Sequence, residues 1–413
     1  MNEWIERRAM INLYTFFVSK LLTSLGFGVF SFGISLYILQ LTGSALSFAT
    51  NIMFNVLPRA LVAPLAGYVA DRFPRKIIVV VSMAGITASI GALIIYTELY
   101  GISVAAIYTI TAIFSMIGAF NGIAFSSSIP NMVGKHNVQK GMAFNQVSYS
   151  IGAIGGPTIG GMMYGFVSME VFLWAMFIAY FIALCLEASM NFTLFADRLV
   201  AKKESMMASM RSGFVYLKSK PLVQSLLMTQ VCINFFSAAI SVGLVFVLVQ
   251  RLSVESTQVG IIQGAGAIGM LVASLYLSMR GDLVRPLRFV KRAATVMCIA
   301  MICIAVPLVA GFSTSIAFIY YMLLMFIFSA MSIWANTPIG VVIQREVDDA
   351  HRGRVFGIIE TLAVGIGPIG SLIYGALFDY IDASLIFIIS GLLLLVMIYI
   401  LLRASRLKHL SPL

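Results

Sequence analysis

The chain has 413 residues, of which 60% are hydrophobic and only 10% charged, with a mean hydropathy of +0.99. So little polar surface cannot cover a water-soluble globule, and lipid must be the main solvent. The net charge of +11 does not require a nucleic acid, because basic loops such as residues 280–292 belong at a membrane surface.

A helix that crosses the hydrocarbon core needs ~20 mostly apolar residues. The first such run, residues 11–39, follows Arg7 and Arg8. It is too long for a signal peptide and eleven more runs follow, so it reads as a retained first helix. Runs at 45–70, 77–97, 102–130, 141–166 and 170–194 complete a first set of six. The longest polar stretch comes next, from Asp197 to Pro221. Its Met206, Met207, Met210, Phe214 and Leu217 recur at helical spacing, which predicts an amphipathic helix lying on the membrane surface. The second set occupies 222–250, 256–279, 289–311, 313–343, 354–378 and 383–402. Their length and their Gly and Pro interruptions do not fit the alternating segments of roughly ten residues in membrane barrels. The expectation is an all-α membrane protein. Twelve transmembrane helices form two pseudo-symmetric six-helix bundles, 1–196 and 222–413, joined by a cytosolic linker at 197–221. All of the 27 Lys and Arg except Lys20, Arg59 and Arg251 fall in the termini or in alternate loops on one side, which puts both termini in the cytosol.

The two sets resemble each other. Lys140-Gly141-Met142-Ala143-Phe144, followed by Gly155-Gly156-Pro157, parallels Arg352-Gly353-Arg354-Val355-Phe356 followed by Ile366-Gly367-Pro368, at an offset of 211 or 212 residues. Internal repeats of this kind point to a transporter with its site near the bilayer midplane.

Between the second and third runs lies Gly67-Tyr68-Val69-Ala70-Asp71-Arg72-Phe73-Pro74-Arg75-Lys76. Gly67 permits close backbone approach. Asp71, at a helix end, can accept hydrogen bonds from a neighbouring helix N-terminus and favour its positive dipole. In the fifth run, Gly152, Gly156 and Gly160 stand four apart on one stripe that lets another helix come close. Pro157 removes a backbone donor, and Gly161 ends the motif.

The first of these segments resembles the signature loop of the major facilitator superfamily, with Pro74 where a glycine is usual. The second resembles that superfamily's antiporter motif. Thr42-Gly43-Ser44-Ala45, Leu57-Pro58, Gly213 through Tyr216, Lys220-Pro221, Pro338, Gln344 and the 352–356 run resemble the macrolide-efflux and enterobactin-exporter-like branch. The resemblance implies that the neighbour of Asp71 is helix eleven, which starts near Arg354, and that their contact closes the cytosolic side. It also implies a cavity lined by helices one, four, seven and ten. Asn121, Gln230, Asn234, Phe235, Phe236, Trp334 and Asn336 would contribute to it, and such walls suit an amphipathic solute. Helix four departs from the family pattern, reading Phe114-Ser115-Met116-Ile117-Gly118-Ala119 where many proton-coupled antiporters carry arginine.

Ionisable groups within a span cost ~2.5 to 3.5 kcal/mol each on insertion scales and are functional candidates by default. Lys20 lies in the inner third of helix one, Arg59 near the middle of helix two and Glu360 two turns into helix eleven. Glu187 lies near the cytosolic end of helix six, where it could reach water. Under the family arrangement Lys20, Arg59 and Glu360 form a network in which Glu360 changes protonation or partner. Lys20 and Arg59 could instead snorkel. His136, His351 and His409 lie in cytosolic segments. Cys185, Cys232, Cys298 and Cys303 sit in apolar runs without metal-ligand spacing. No phosphate-binding glycine loop with lysine is present, so neither cofactor nor ATP is expected, and the energy must come from a gradient or from the substrate itself. The chain reads as a monomeric, multi-pass exporter in the cell membrane. It would move a drug, macrolide-like metabolite or siderophore in exchange for protons. A nutrient importer or facilitator, or a lipid-headgroup flippase, is the alternative, and a non-transporting membrane sensor is the least favoured.

Overall fold

In lipid every backbone N–H and C=O must be satisfied within the chain, and the apolar runs satisfy them as helices. The computed structural model describes residues 3–134, 137–195, 215–279, 285–347 and 349–402. Most of the expected amphipathic linker therefore lies outside the described residues. Helices α1 (Glu3–Thr42), α2 (Ala45–Arg72), α3 (Arg75–Tyr100) and α4 (Val104–Ser127) are followed by the short α5 (Ile129–Val133). Next come α6 (Val138–Phe166), α7 (Met169–Ser189) and α8 (Pro221–Phe246), the last ending in a π-helical turn, Val247–Arg251. After α9 (Ser256–Met279) and α10 (Pro286–Cys303) comes a short α11 (Val306–Ala310), then α12 (Thr314–Glu346), α13 (Asp349–Tyr380) and α14 (Ala383–Leu401). Among the described residues ten segments are long and apolar enough to cross a membrane. Helices α6 and α13 have 29 and 32 residues. The chain is a multi-pass α-helical membrane protein.

Proline accounts for two departures from the expected runs. The run 102–130 divides into α4 and α5, with Pro130 in the first turn of α5. The run 289–311 divides into α10 and α11, with Pro307 likewise placed. A ring that carries no N–H fits the start of a helix better than its interior.

The chain falls into two compact units, residues 1–41 with 51–200, and 42–50 with 201–413. In the first, α3 packs against α4 and α7. Helix α6 meets α1 along its glycine stripe: a Cβ on Gly152 would stand 2.5 Å from the Ser24 carbonyl oxygen, one on Gly156 2.5 Å from Gly28 Cα, and one on Gly160 2.8 Å from the Val29 carbonyl oxygen. Two apolar clusters fill this unit. One joins Val29, Phe30, Met83, Phe114, Phe172 and Ala183, and the other joins Leu13, Phe16, Val79, Phe125, Met132 and Met190. In the second unit α8 packs on α13 and α14, α10 on α12 and α14, and α9 on α12.

Candidate functional site

Between the two apolar clusters of the first unit lies a layer of polar side chains. On α1 Ser19 follows Phe16 and precedes Val29, on α4 Asn121 falls between Phe114 and Phe125, and on α7 Glu187 falls between Ala183 and Met190. Each helix thus interrupts its apolar face at the same level, and the interruptions meet. Ser19 Oγ donates to Glu187 Oε1 at 3.1 Å, and Asn121 Nδ2 donates to Glu187 Oε2 at 2.9 Å and to the Val79 carbonyl oxygen at 3.2 Å. Glu187 and Ser19 are both 0% exposed, so the carboxyl group does not reach water as its place near the helix end suggested. A buried carboxylate is tolerated only with partners, and each of its oxygens has one neutral donor.

The positive charge beside it is Lys20, half-buried on α1, with its Nζ 5.9 Å from the centre of the Phe125 ring. Lys20 is within electrostatic reach of both Glu187 and Arg59. Arg59 is exposed on α2, and its guanidinium lies 5.7 Å from the Phe27 ring centre and against Gly122 of α4. Of the four intramembrane charges, Lys20, Arg59 and Glu187 thus share one unit. Glu360 stands on α13 of the second unit, and its side chain is outside the description, as is that of Asp71.

A second polar line runs along α1, α2 and α4. Asn51 Nδ2 donates to Ser35 Oγ at 2.8 Å, Asn55 Nδ2 to the Asn51 carbonyl at 3.1 Å, and Ser115 Oγ to the Asn55 carbonyl. The side-chain oxygens of Asn51 and Asn55 are buried without a partner. Sequence reasoning passed over Ser19, Asn51 and Asn55. The available signal was the i, i+4 spacing of two asparagines on one face of an apolar run.

In the signature loop, α2 ends at Arg72, whose guanidinium stacks 4.2 Å from the Tyr68 ring centre. Pro74 caps α3 with φ −57°, an ordinary proline value, so the turn there does not need glycine. Arg75 Nη1 donates to the Ser127 carbonyl at 2.6 Å, neutralising the C-terminal end of α4, while Lys76 is exposed. The close approach expected at Gly67 is not made among the described residues, where a Cβ would meet nothing within 4 Å. Pro157 lies inside α6, and Gly161 is buried.

The other cavity candidates lie in the second unit. Gln230 and Asn234 are half-buried on α8. Phe235 packs 5.7 Å from the Tyr374 ring and against Gly370, both on α13. Trp334 binds α12 to its neighbours, with its indole N–H donating to the Ala273 carbonyl at 3.1 Å and its ring 5.1 Å from Tyr276 and 5.4 Å from Phe289. Asn336 donates to the Ser332 carbonyl at 2.9 Å and leaves its own buried Oδ1 unpaired. Among the described residues no group of three or more His, Cys, Asp or Glu could hold a metal.

A family model described as the Major Facilitator Superfamily matches residues 16–367 and, again, 226–412. The chain is 21% identical over 386 residues to macrolide efflux protein A of Streptococcus pyogenes, covering 93% of this chain and 94% of that protein. It is 23% identical over 389 residues to the multidrug efflux pump Tap of Mycolicibacterium fortuitum, covering 91% of each. Among solved structures, a bacterial homologue of the iron transporter ferroportin in its inward-facing state superposes with a TM-score of 0.72 at 14% identity, over 95% of this chain and 98% of that one.

Proposed function

Because the chain belongs to the Major Facilitator Superfamily and is a transporter rather than an enzyme, we propose that it exports an amphipathic small molecule by alternating access, in exchange for protons. It would sit in the cell membrane with both termini in the cytosol. The efflux function named for two relatives supports the direction.

The observation that carries the coupling is the buried Glu187. A proton added there turns one acceptor oxygen into a donor. The Ser19 hydroxyl can rotate to accept it, whereas the Asn121 amide N–H can only donate. The layer therefore has one partner that adapts to either protonation state and one that holds the carboxyl group in place. Protonation also removes the charge that balances Lys20, which leaves Lys20 and the exposed Arg59 as the cations available to a polar or anionic group of the solute. In this reading Glu187 takes the role that the sequence assigned to Glu360, and Glu360 remains a second carboxyl candidate on α13. The loop from Gly67 to Lys76 closes the cytosolic side.

The test is transport of a radiolabelled macrolide into inverted vesicles under an imposed pH gradient, with right-side-out vesicles as the control for direction. The wild type is expected to accumulate the macrolide only in inverted vesicles. Glu187→Gln, which keeps the shape and one acceptor oxygen, is expected to retain macrolide exchange at equal concentrations and to lose accumulation driven by the gradient. Gradient-driven accumulation at the wild-type level in Glu187→Gln would remove this residue from the coupling. Accumulation only in right-side-out vesicles would make the protein an importer.

A further inference from the structure

The Thr42-Gly43-Ser44-Ala45 run is not used by the export mechanism above, yet it forms a corner held by several hydrogen bonds. Gly43 has φ +67°, in the left-handed region that glycine enters without strain. The resulting turn delivers the first residues of α2 to the end of α13. There Asp379 accepts three hydrogen bonds: from Ser44 Oγ at 2.6 Å, from the Ala45 N–H at 2.7 Å and from the Leu46 N–H at 3.3 Å. The first turn of a helix has free N–H groups and a positive dipole end, and here a carboxylate from another helix satisfies both. One turn back on α13, a Cβ on Gly375 would stand 2.7 Å from Ala49 Cβ and 3.0 Å from the Ala45 carbonyl oxygen, so the two helices touch almost backbone to backbone.

Two features set this contact apart from an ordinary cap. Asp379 is exposed, so water can take over its hydrogen bonds and the contact is cheap to break. Helix α2 also changes allegiance along its length: residues 42–50 group with the second unit, and the rest of the helix, from residue 51, with the first. We propose that Asp379 is a gating residue, a clasp that keeps the head of α2 on the second unit and must release in each transport cycle. The far end of α2 carries the Gly67 to Lys76 loop, roughly 40 Å away along the helix at 1.5 Å per residue. One continuous helix therefore has a clasp at one membrane face and the signature loop at the other. Release at the Asp379 end is coupled to closure at the loop end. The proposal rests on alternating access, but not on the identity of the solute or its direction.

Hydrogen–deuterium exchange on the full-length protein in lipid nanodiscs reads both ends of α2 without any substrate. In Asp379→Ala the amides of residues 44–50 are expected to exchange about two- to thirty-fold faster, the range for a lost N-terminal cap. Peptides covering residues 67–80 are expected to exchange more slowly than in the wild type. Asp379→Asn, which keeps an acceptor oxygen but not the charge, should fall between the two. Ser44→Ala removes the hydroxyl that donates to Asp379 and accepts from the Ser47 N–H but leaves both backbone donors to the carboxylate, and it should shift both ends in the same directions, which guards against a folding defect in the Asp379 variants. Faster exchange confined to residues 44–50 would make Asp379 a local cap and overturn the proposal. Unchanged exchange at 44–50 would show that the clasp is not formed in a bilayer, with the same result. An increase in Ser44→Ala that extended to α7 and α10 would mean general loosening and would also overturn it. Failure to export a macrolide leaves all of these readouts interpretable.

Discussion

Two adjacent glycines of the α6 motif should respond in opposite ways to the same substitution. At Gly156 a Cβ would stand 2.5 Å from Gly28 Cα, 2.7 Å from its carbonyl carbon and 3.2 Å from the Val29 nitrogen. All three are backbone atoms of α1 that no rotamer change can move, so Gly156→Ala must push the two helices apart. Overpacking costs ~1–3 kcal/mol, and two backbone contacts under 3.0 Å put this one in the upper part of that range, ~2–3 kcal/mol, against a gain of ~1 kcal/mol in helix propensity for replacing glycine by alanine. Thermal unfolding in detergent, followed by tryptophan fluorescence, should place the variant's Tm lower by ~2–8 °C, at ~2–4 °C per kcal/mol for a unit of this size. At Gly155 the nearest atom is Leu25 Cδ2 at 3.2 Å, the mobile end of a side chain that can rotate away. Gly155→Ala should therefore keep its propensity gain and leave Tm unchanged or raised by ~2–4 °C. If both variants lost stability equally, or Gly156→Ala lost none, the assignment of this stripe to the α1 contact would be wrong.

Asn12 is buried and joins three chain segments. Its Nδ2 donates to the Met132 carbonyl at 3.1 Å and the Asn191 carbonyl at 2.9 Å, and its Oδ1 accepts from the Asn191 N–H at 3.1 Å. Asn12→Ala strands those groups, and the loss of ~2–4 kcal/mol expected from orphaned buried polar atoms should appear as a lower Tm. Arg75→Ala removes the charged donor from the Ser127 carbonyl. Faster amide exchange at residues 125–133, with α7 unchanged, is the expected result, and Arg75→Lys should be intermediate because a single ammonium replaces the fork. Trp334→Phe keeps an aromatic ring against Tyr276 and Phe289 but deletes the indole donor to the Ala273 carbonyl. Its cost should be ~1–2 kcal/mol, read as a fall in Tm without a change in helix content by circular dichroism.

Several features were readable from the chain alone. The membrane class, the long apolar helices and the glycine stripe follow from hydropathy and from the 3.6-residue period, which depend on residues close together in sequence. The stripe's spacing of four, for example, already placed Gly152, Gly156 and Gly160 on one side of α6. Where sequence reasoning ran a helix on to residues 130 and 311, the helices stop at 127 and 303, and a proline a few positions on was the local cause. The polar sites were only partly legible. Lys20, Arg59 and Glu187 stood out as charges in apolar runs, but the choice of Glu360 as the partner of Lys20 came from a family arrangement, whereas the hydrogen bonds of Ser19 and Asn121 to Glu187 came from the packing of α1, α4 and α7. Asp379 drew no attention because an aspartate at a helix end is ordinary.

By itself, then, the sequence determined the solvent in which this protein folds, the segments that cross it and the residues too polar to be there without a reason. Only the tertiary structure decided which of those residues meet. Ser19 and Glu187 are 168 positions apart, Asn121 and Glu187 are 66 apart, and Ser44 and Asp379 are 335 apart. Periodicity fixes the face of a helix on which a residue lies, but which other face it meets depends on how all the helices pack together.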